Sequence, residues 1–179
     1  RSQVVLPEKW RKGHGLLALG EAPGEAEDQS GQGFVGIAGR RLRRELIAAG
    51  VDVDAFGTAN VCRCRPMNNR KPTATERAAC KNWLDQTIAQ WKPRVILCVG
   101  LTATQTLLGA GSLKVHIEHF RGCYTAAQGK NKAGPWIVPC PHTSGLSWNR
   151  RHPGDGRRWS EWGAEQMRIA AALLKGAEV

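Results

Sequence analysis

Apolar residues along this chain are concentrated in short segments, and longer amphipathic segments separate them. The short segments predict buried strands at 16–19, 55–61, 94–99 and 136–139. Runs of this length, bounded by turn residues, are typical of strands that lie inside a fold. The pattern therefore predicts a central sheet.

Amphipathic segments lie between the predicted strands. They predict helices at 38–49, from Thr73 or Thr75 to Trp91, at 102–108 and at 157–175. The alternating order of strands and helices is typical of a parallel α/β sheet with helices on both faces. Residues 115–120 with Tyr124 are predicted as an edge strand or a connection, and residues 1–179 as one domain.

Three of the predicted strands are followed by clusters of polar residues and glycine. These clusters are 20–36, 60–72 and 140–152. Because the carboxyl ends of parallel strands meet at one edge of a sheet, we expect the clusters to line one crevice. Phe34 is a large apolar residue among glycine and polar neighbours, which makes it a candidate platform for a flat ligand.

Two side chains in these clusters have suitable chemistry for such a ligand. Asn60 presents an acceptor and donors in one plane, as recognition of a base edge requires, although Asn also caps loops. His142 can donate to a carbonyl oxygen or take part in acid–base chemistry, and a histidine bonded to loop backbone is the alternative. No recognisable Asp–His pair surrounds Ser144, which argues against a nucleophilic serine.

The charge of the chain indicates a polyanionic partner. Its 179 residues contain 26 Lys and Arg against 15 Asp and Glu, which gives a net charge of +11. A charge of this size favours nucleic acid. No apolar run approaches the ~20 residues of a membrane span, and no secretory signal is evident, so we expect a cytoplasmic protein without a membrane partner. The six cysteines are then expected as reduced thiols or metal ligands.

Several motifs together resemble one known family. They are Gly20-Glu21-Ala22-Pro23-Gly24, Phe34-Val35-Gly36, Asn60-Val61, Cys64-Arg65-Pro66 and His142. The chain resembles the uracil-DNA glycosylase superfamily, and most closely its family 4, which carries an iron–sulfur cluster in many prokaryotes. The resemblance implies a three-layer α/β/α sandwich around a four-stranded parallel sheet.

The resemblance also implies an activity and roles for individual residues. The enzyme would flip a base out of DNA and hydrolyse its N-glycosidic bond. Phe34 would stack on the flipped base and Asn60 would bind its polar edge. Backbone from Gly20 to Ala22 would line the pocket. His142 would donate to the base oxygen that gains charge as the bond breaks.

The group that activates water stays open at this point. The best-known branch of the superfamily has an Asp where this chain has Ala22. Either Glu21 or Glu27 would place the water instead, or stabilisation of the leaving base alone would carry the rate.

The segment after His142 resembles the loop that enters the minor groove. Leu146 or Trp148 would fill the vacated base stack. Ser144, Arg150 and Arg151 would contact DNA, with phosphates also held by Arg157 and Arg158; a solvated basic loop is the alternative. The resemblance implies a nucleoid-associated monomer that acts on single- or double-stranded DNA.

Two features of the chain depart from the family pattern. Gly33 and Thr143 stand where the family has Pro, which admits a base bulkier than uracil. Cys80 and Cys98 resemble the later two ligands of the cluster, and the early pair would fall upstream of Arg1. A [4Fe-4S] cluster is therefore expected only if upstream cysteines exist.

Three other functions remain to be weighed against uracil excision. One is a glycosylase for a bulkier base, such as a modified cytosine in a defence role. Another is a non-catalytic DNA-binding relative, which the combination of Phe34, Asn60 and His142 opposes. The third is a small-molecule nucleoside hydrolase, which the net charge of +11 disfavours.

Overall fold

The centre of the fold is a four-stranded sheet in which every strand pair is parallel. The computed structural model describes residues 3–13, 15–120, 134–152 and 156–176. The strands are β1 (Leu16–Gly20), β2 (Phe56–Asn60), β3 (Val95–Val99) and β4 (Trp136–Cys140), in the order β2-β1-β3-β4. The predicted strands and their parallel arrangement are thus confirmed.

Helices cover both faces of this sheet. Those that the structure describes are α1 (Glu25–Ser30), α2 (Ile37–Ala48), α3 (Ala74–Trp91), α4 (Leu101–Leu108), α5 (Leu113–Phe120), α6 (Gly145–Trp148) and α7 (Trp159–Leu174). Among the described residues, no helix has the length and apolar composition needed to cross a membrane.

The core consists of two apolar clusters, one on each face of the sheet. On one face, Leu42 of α2 and Met167 of α7 pack against Leu16. On the other face, Leu84 of α3 and Ala103 of α4 belong to the cluster that contains Leu17, the next residue of β1. Successive strand residues point to opposite faces, and burying one leucine contributes about 1.5–3 kcal/mol. This arrangement confirms the three-layer sandwich.

Residues 115–120, predicted as an edge strand or a connection, do not form a strand. They belong to α5, which lies between β3 and β4 along the chain and in which Ile117 is fully buried. Val115 and Ile117 imitate the two-residue alternation of a strand, but the Ser112 Oγ accepts from the Val115 N–H at 3.2 Å and starts a helix. Tyr124 lies outside the described residues.

The loop between β1 and α2 contains α1, which the apolar pattern did not predict. This short helix is polar along its length, and Glu27 holds its start by accepting from the Gly24 N–H at 3.2 Å. Because hydrogen bonds rather than apolar packing fix α1, hydrophobic periodicity could not reveal it.

A network of hydrogen bonds fixes the loop between β2 and α3. The Thr73 Oγ1 accepts from the Glu76 N–H at 3.2 Å, and the Glu76 Oε2 accepts from the Thr73 N–H at 2.7 Å. Arg70 donates to both Glu76 oxygens, at 2.8 and 2.7 Å, and thereby lowers the pKa of Glu76 to about 2. The chain around Lys71 therefore has a defined path at this edge of the sheet.

Candidate active site

A cleft of about 400 Å³ opens at the carboxyl ends of β1, β3 and β4. Its inner wall contains Glu21 after β1, Thr102 after β3, and Pro141 with His142 after β4. β1 lies between β2 and β3 in the sheet. The chain passes from β1 to β2 on one side and then crosses to β3 on the other side of β1, so the direction of strand addition reverses at β1. Open α/β sheets bind ligands at such a switch point.

The imidazole of His142 is a defined hydrogen-bond donor. The Ser144 N–H donates to its Nδ1 at 3.1 Å, which places the ring hydrogen on Nε2. Burial lowers the pKa of His142 below its ordinary value, and the nearby Glu21 carboxylate acts in the opposite direction. His142 is therefore neutral near pH 7, with Nε2–H available to a ligand.

The loop that carries His142 is hydrogen-bonded to α2 through Thr143, the residue that follows His142. The buried Thr143 Oγ1 donates to the Ala38 carbonyl at 2.8 Å, and the Thr143 carbonyl accepts from the Arg41 guanidinium at 2.8 Å. Arg41 therefore restrains this loop from the basic face of α2. These two hydrogen bonds hold the backbone at Thr143, where the resemblance implies Pro.

The two candidate carboxylates have different surroundings. The Thr102 hydroxyl donates to the Glu21 Oε2, while Oε1 of Glu21 accepts no hydrogen bond within the described residues. Both oxygens of the buried Glu27 are occupied, because they accept from Gly24 N–H at 3.2 Å and Gly36 N–H at 2.7 Å. Glu21 faces the cleft, and Glu27 holds the loop around Phe34.

Phe34 and Asn60 meet over Gly20, the residue that precedes Glu21. A Cβ atom on Gly20 would lie 2.4 Å from the Asn60 Oδ1 and 2.8 Å from the Phe34 Cζ, so only glycine allows this approach. Asn60 is opposite Gly20 in the register of β1 and β2. Ala22 packs against the apolar cluster of the α3 face. The structure thus brings the ring and the amide together beside the cleft.

The backbone of Phe34 is in the left-handed region, with φ of 59°. Such a conformation costs an aromatic residue about 1–3 kcal/mol and persists only where its surroundings impose it. A Cβ atom on Gly39 would lie 2.2 Å from the Phe34 carbonyl oxygen, so α2 packs directly on this backbone. Together with Glu27, which binds Gly36, this contact fixes the ring position.

The two wedge candidates of α6 have opposite environments. Leu146 is 92% exposed, whereas Trp148 is 6% exposed and packs against Gly163 of α7. In a single helical turn, residues two positions apart lie on different sides. Trp148 as the wedge is therefore wrong, since its ring belongs to the core. Ser144 is the N-cap residue of α6 and orients His142.

The basic residues near α6 differ in whether their side chains are already hydrogen-bonded within the protein. Arg151 donates to the Gly156 carbonyl at 2.9 Å, and Arg157 donates to Glu165 at 2.9 Å. Arg150 lines the cleft, as does Lys71, and both side chains are exposed. Arg150 is thus the predicted phosphate contact that the structure places nearest to the site.

Residues that the sequence pattern did not single out also line the cleft. They include Thr102, Leu113 and Trp159, whereas Lys71 belongs to the polar cluster 60–72 that was predicted to line the crevice. Thr102 could have been found from its position three residues after the end of β3, where open sheets place functional groups. Leu113 and Trp159 reach the cleft through the packing of separate elements, which local pattern does not encode.

The candidate metal ligands lie in the apolar cluster of the α3 face. Cys98 is fully buried on β3, and Cys80 of α3 packs against the same cluster. Burial and the neighbouring Cys80 raise the pKa of Cys62 to about 12, and burial also raises the pKa of Cys98. No group of three or more His, Cys, Asp or Glu that could hold a metal occurs in the part of the chain that the structure describes.

Comparison with known proteins places this geometry in a family. Residues 11–163 match the profile of the Uracil DNA glycosylase superfamily. The chain is 38% identical to the Type-4 uracil-DNA glycosylase of Thermotoga maritima over 135 residues, which are 75% of this chain and 67% of that protein. It is 43% identical to the Type-4 uracil-DNA glycosylase of Pyrobaculum aerophilum over 94 residues, or 52% of this chain and 48% of that protein.

A third relative is the Type-4 uracil-DNA glycosylase of Archaeoglobus fulgidus, which is 37% identical over 99 residues, or 55% of this chain and 50% of that protein. The chain thus spans about half the length of the Pyrobaculum and Archaeoglobus relatives that it matches. Because the profile matches most of the sequence, the chain belongs to the uracil DNA glycosylase superfamily.

Proposed function

We propose that this chain is a monofunctional DNA glycosylase that flips uracil out of DNA and hydrolyses its N-glycosidic bond. The observation that carries the proposal is the neutral His142 donor in a cleft next to the Phe34 and Asn60 pair. Superfamily membership and relatives named as uracil-DNA glycosylases support it. We also propose that residues 1–179 act as one domain and as a monomer, on single- or double-stranded DNA.

The flipped base is bound by its face and by its edge. Phe34 stacks on the ring, and the Asn60 amide supplies a donor and an acceptor to the polar edge, while backbone from Gly20 to Ala22 completes the wall. Extrusion from the duplex costs a few kcal/mol, which these contacts offset. Because Phe34 and Asn60 are held in place before binding, little ordering is needed when the base arrives.

His142 stabilises the leaving base. As the bond between the sugar and the base breaks, its electron pair moves into the base and negative charge gathers on a carbonyl oxygen. The Nε2–H of His142 donates to that oxygen. A preorganised donor of this kind contributes about 3–4 kcal/mol to the transition state.

Glu21 places the water that completes the reaction. Its Oε2 is held by Thr102, so Oε1 is the oxygen that can accept a hydrogen bond from water. The water oxygen bonds to the sugar carbon that the base leaves, and its proton passes to Glu21. Glu27 is the weaker candidate because both of its oxygens already accept backbone hydrogen bonds.

The activity is tested with duplexes that contain one uracil, hypoxanthine or modified cytosine. We expect alkali-labile abasic sites at uracil, and we expect His142→Ala and Asn60→Ala to lower the single-turnover rate at least a hundredfold, in keeping with the loss of one such donor. DNA affinity should change little. His119→Ala and Asn82→Ala, both at exposed helix positions outside the cleft, are matched controls.

Two results would contradict the proposal. Absence of abasic product from every duplex would indicate a DNA-binding relative without catalysis. A wild-type rate in His142→Ala would remove His142 from the mechanism.

A bulkier base is the second candidate substrate. It is favoured by the volume of the cleft, about 400 Å³, with Leu113 and Trp159 lining it besides His142, and by Gly33, whose backbone is freer than that of Pro. The same set of duplexes distinguishes the candidates, because a preference for a modified cytosine over uracil would select this one. A role in defence rather than repair would follow from that preference.

The iron–sulfur cluster of family 4 is not completed by the described residues. Cys80 and Cys98 would supply two thiolates, whereas a [4Fe-4S] cluster takes four ligands. The residues present therefore do not fit the cluster by themselves, and no step above involves one. We propose a cluster only where two further cysteines join this pair. Iron analysis and visible absorbance of a chain extended upstream, with Cys80→Ser as the comparison, test this.

A further inference from the structure

The outer part of the cleft contains an aromatic ring and two cations that the proposed base pocket does not use. Trp159, the first residue of α7, lines the cleft together with Lys71 and Arg150. The same continuous cleft contains His142. A nucleotide strand bound at His142 therefore continues past this outer part.

The ring of Trp159 is held by its neighbours. Its backbone N–H donates to the Arg150 carbonyl at 3.0 Å, and the His152 ring meets it edge-on with centroids 5.3 Å apart. Trp162 packs against it at 5.8 Å. Trp159 nevertheless keeps a partly exposed surface that lines the cleft. A fixed aromatic face loses little conformational entropy when a ligand stacks on it.

The two cations are available to a ligand. In the described residues, neither Lys71 nor Arg150 forms an ion pair or a side-chain hydrogen bond, whereas the nearby Arg70 binds Glu76 and Arg157 binds Glu165. Aromatic faces beside unpaired cations are the usual means of binding a nucleic acid strand, by base stacking and phosphate contact.

We propose that the outer part of the cleft is a second nucleotide subsite, in which the base next to the flipped nucleotide stacks on Trp159. Arg150 and Lys71 bind the phosphates of that segment. The subsite rests on the proposed function, because the flipped nucleotide at His142 sets the position of its neighbour. It would make the rate of excision depend on the nucleotide beside the target.

The test uses duplexes in which the nucleotide on the 5′ or the 3′ side of uracil either carries its base or is a baseless tetrahydrofuran analogue. Stacking on an aromatic side chain typically changes binding roughly tenfold per base. For the wild-type chain, we expect removal of the neighbouring base on one side to lower kcat/KM about tenfold, in line with that stacking contribution. In Trp159→Ala the same removal should have no effect, and Trp159→Phe should keep most of the wild-type difference. Trp83→Ala is the matched control, because Trp83 is 51% exposed on α3 and does not line the cleft.

Trp159→Ala could instead lower kcat/KM by the same factor on the duplex with the neighbouring base and on the duplex without it. That result would overturn the proposal, because it would assign Trp159 to packing alone. If no uracil duplex yields product, the proposed activity fails, and the same duplexes are compared by affinity instead. A difference in affinity that depends on both the neighbouring base and Trp159 would still support the subsite, and no such difference would overturn it.

The phosphate contacts can be tested separately, even if the Trp159→Ala variant folds poorly. Arg150→Gln and Lys71→Gln should each reduce the slope of log affinity against log salt by about 1, as loss of one phosphate contact does. Lys175→Gln, at the opposite end of α7, should leave the slope unchanged. Unchanged slopes in the first two variants would contradict the assignment of these cations.

Discussion

His142 links protonation to the proposed chemistry at the scale of a single residue. Its Nδ1 accepts from the Ser144 N–H, so a proton added to Nδ1 would break that bond and turn the ring. Because burial lowers the pKa of His142 below its ordinary value, activity should fall on acidification at a lower pH than a histidine with an ordinary pKa would cause.

The lowered pKa of His142 also makes the stability of the fold depend on pH, because folding and proton binding at His142 are linked. Near the ordinary histidine pKa the unfolded chain binds a proton that the folded chain does not, so the free energy of unfolding should decrease as pH falls through this range. A pH profile of the single-turnover rate, measured beside denaturant unfolding, checks both statements. A rate that rises on acidification would contradict the neutral donor.

Thr102 is the residue that orients Glu21. A hydrogen bond to a charged acceptor contributes about 1.5–3 kcal/mol, so Thr102→Val should lower the single-turnover rate about tenfold or more while Thr102→Ser keeps it. Thr106→Val is a matched control, since the Thr106 hydroxyl donates only to the Thr102 carbonyl of its own helix, at 2.8 Å. An unchanged rate in Thr102→Val would favour stabilisation of the leaving base without a placed water.

At the scale of elements, α6 carries Leu146, the proposed wedge into DNA. Because this side chain is 92% exposed, Leu146→Ala should leave the melting temperature unchanged. It should slow excision from paired duplex several-fold more than from single strands, since only the duplex leaves a gap to fill. Ile47→Ala, at an exposed apolar residue near the end of α2, is the control. Equal slowing on both substrates would remove the wedge role.

The strands were predictable from the sequence, and some helices were not, for a physical reason. Short segments rich in apolar or small residues mark β1, β2, β3 and β4 because both faces of these strands are largely buried. α1 carries no apolar face, and α5 has three apolar residues at strand spacing, Leu113, Val115 and Ile117. Short helices that depend on side-chain caps leave little trace in apolar periodicity.

The candidate site was predictable only in part. Phe34, Asn60 and His142 could be singled out because each lies at or after the carboxyl end of a strand of the sheet. Thr102 bonds Glu21 across 81 positions of sequence, and this contact exists only after β1 and β3 pair. The burial of Trp148 likewise depends on how α7 packs on α6. Contacts of this kind follow from tertiary packing rather than from local pattern.

At the scale of the whole molecule, we expect the net charge of +11 to act on the proposed encounter with DNA rather than on the chemical step. Added salt should therefore lower kcat/KM steeply, with a linear fall of log affinity against log salt, because bound counterions are released from the phosphates. The single-turnover rate at saturating protein should change little. Comparing the two quantities between low and physiological salt checks this. An equal fall in both would place charge in the catalytic step.

Trp148 has a consequence for how the free protein meets DNA. Because its ring packs on Gly163 of α7, we expect the turn that carries Leu146 to be held in place before contact with DNA. Ordering of this turn would then add little to the cost of encounter. A substitution that loosens the packing beside Gly163 should consequently impair action on paired DNA more than it impairs folding.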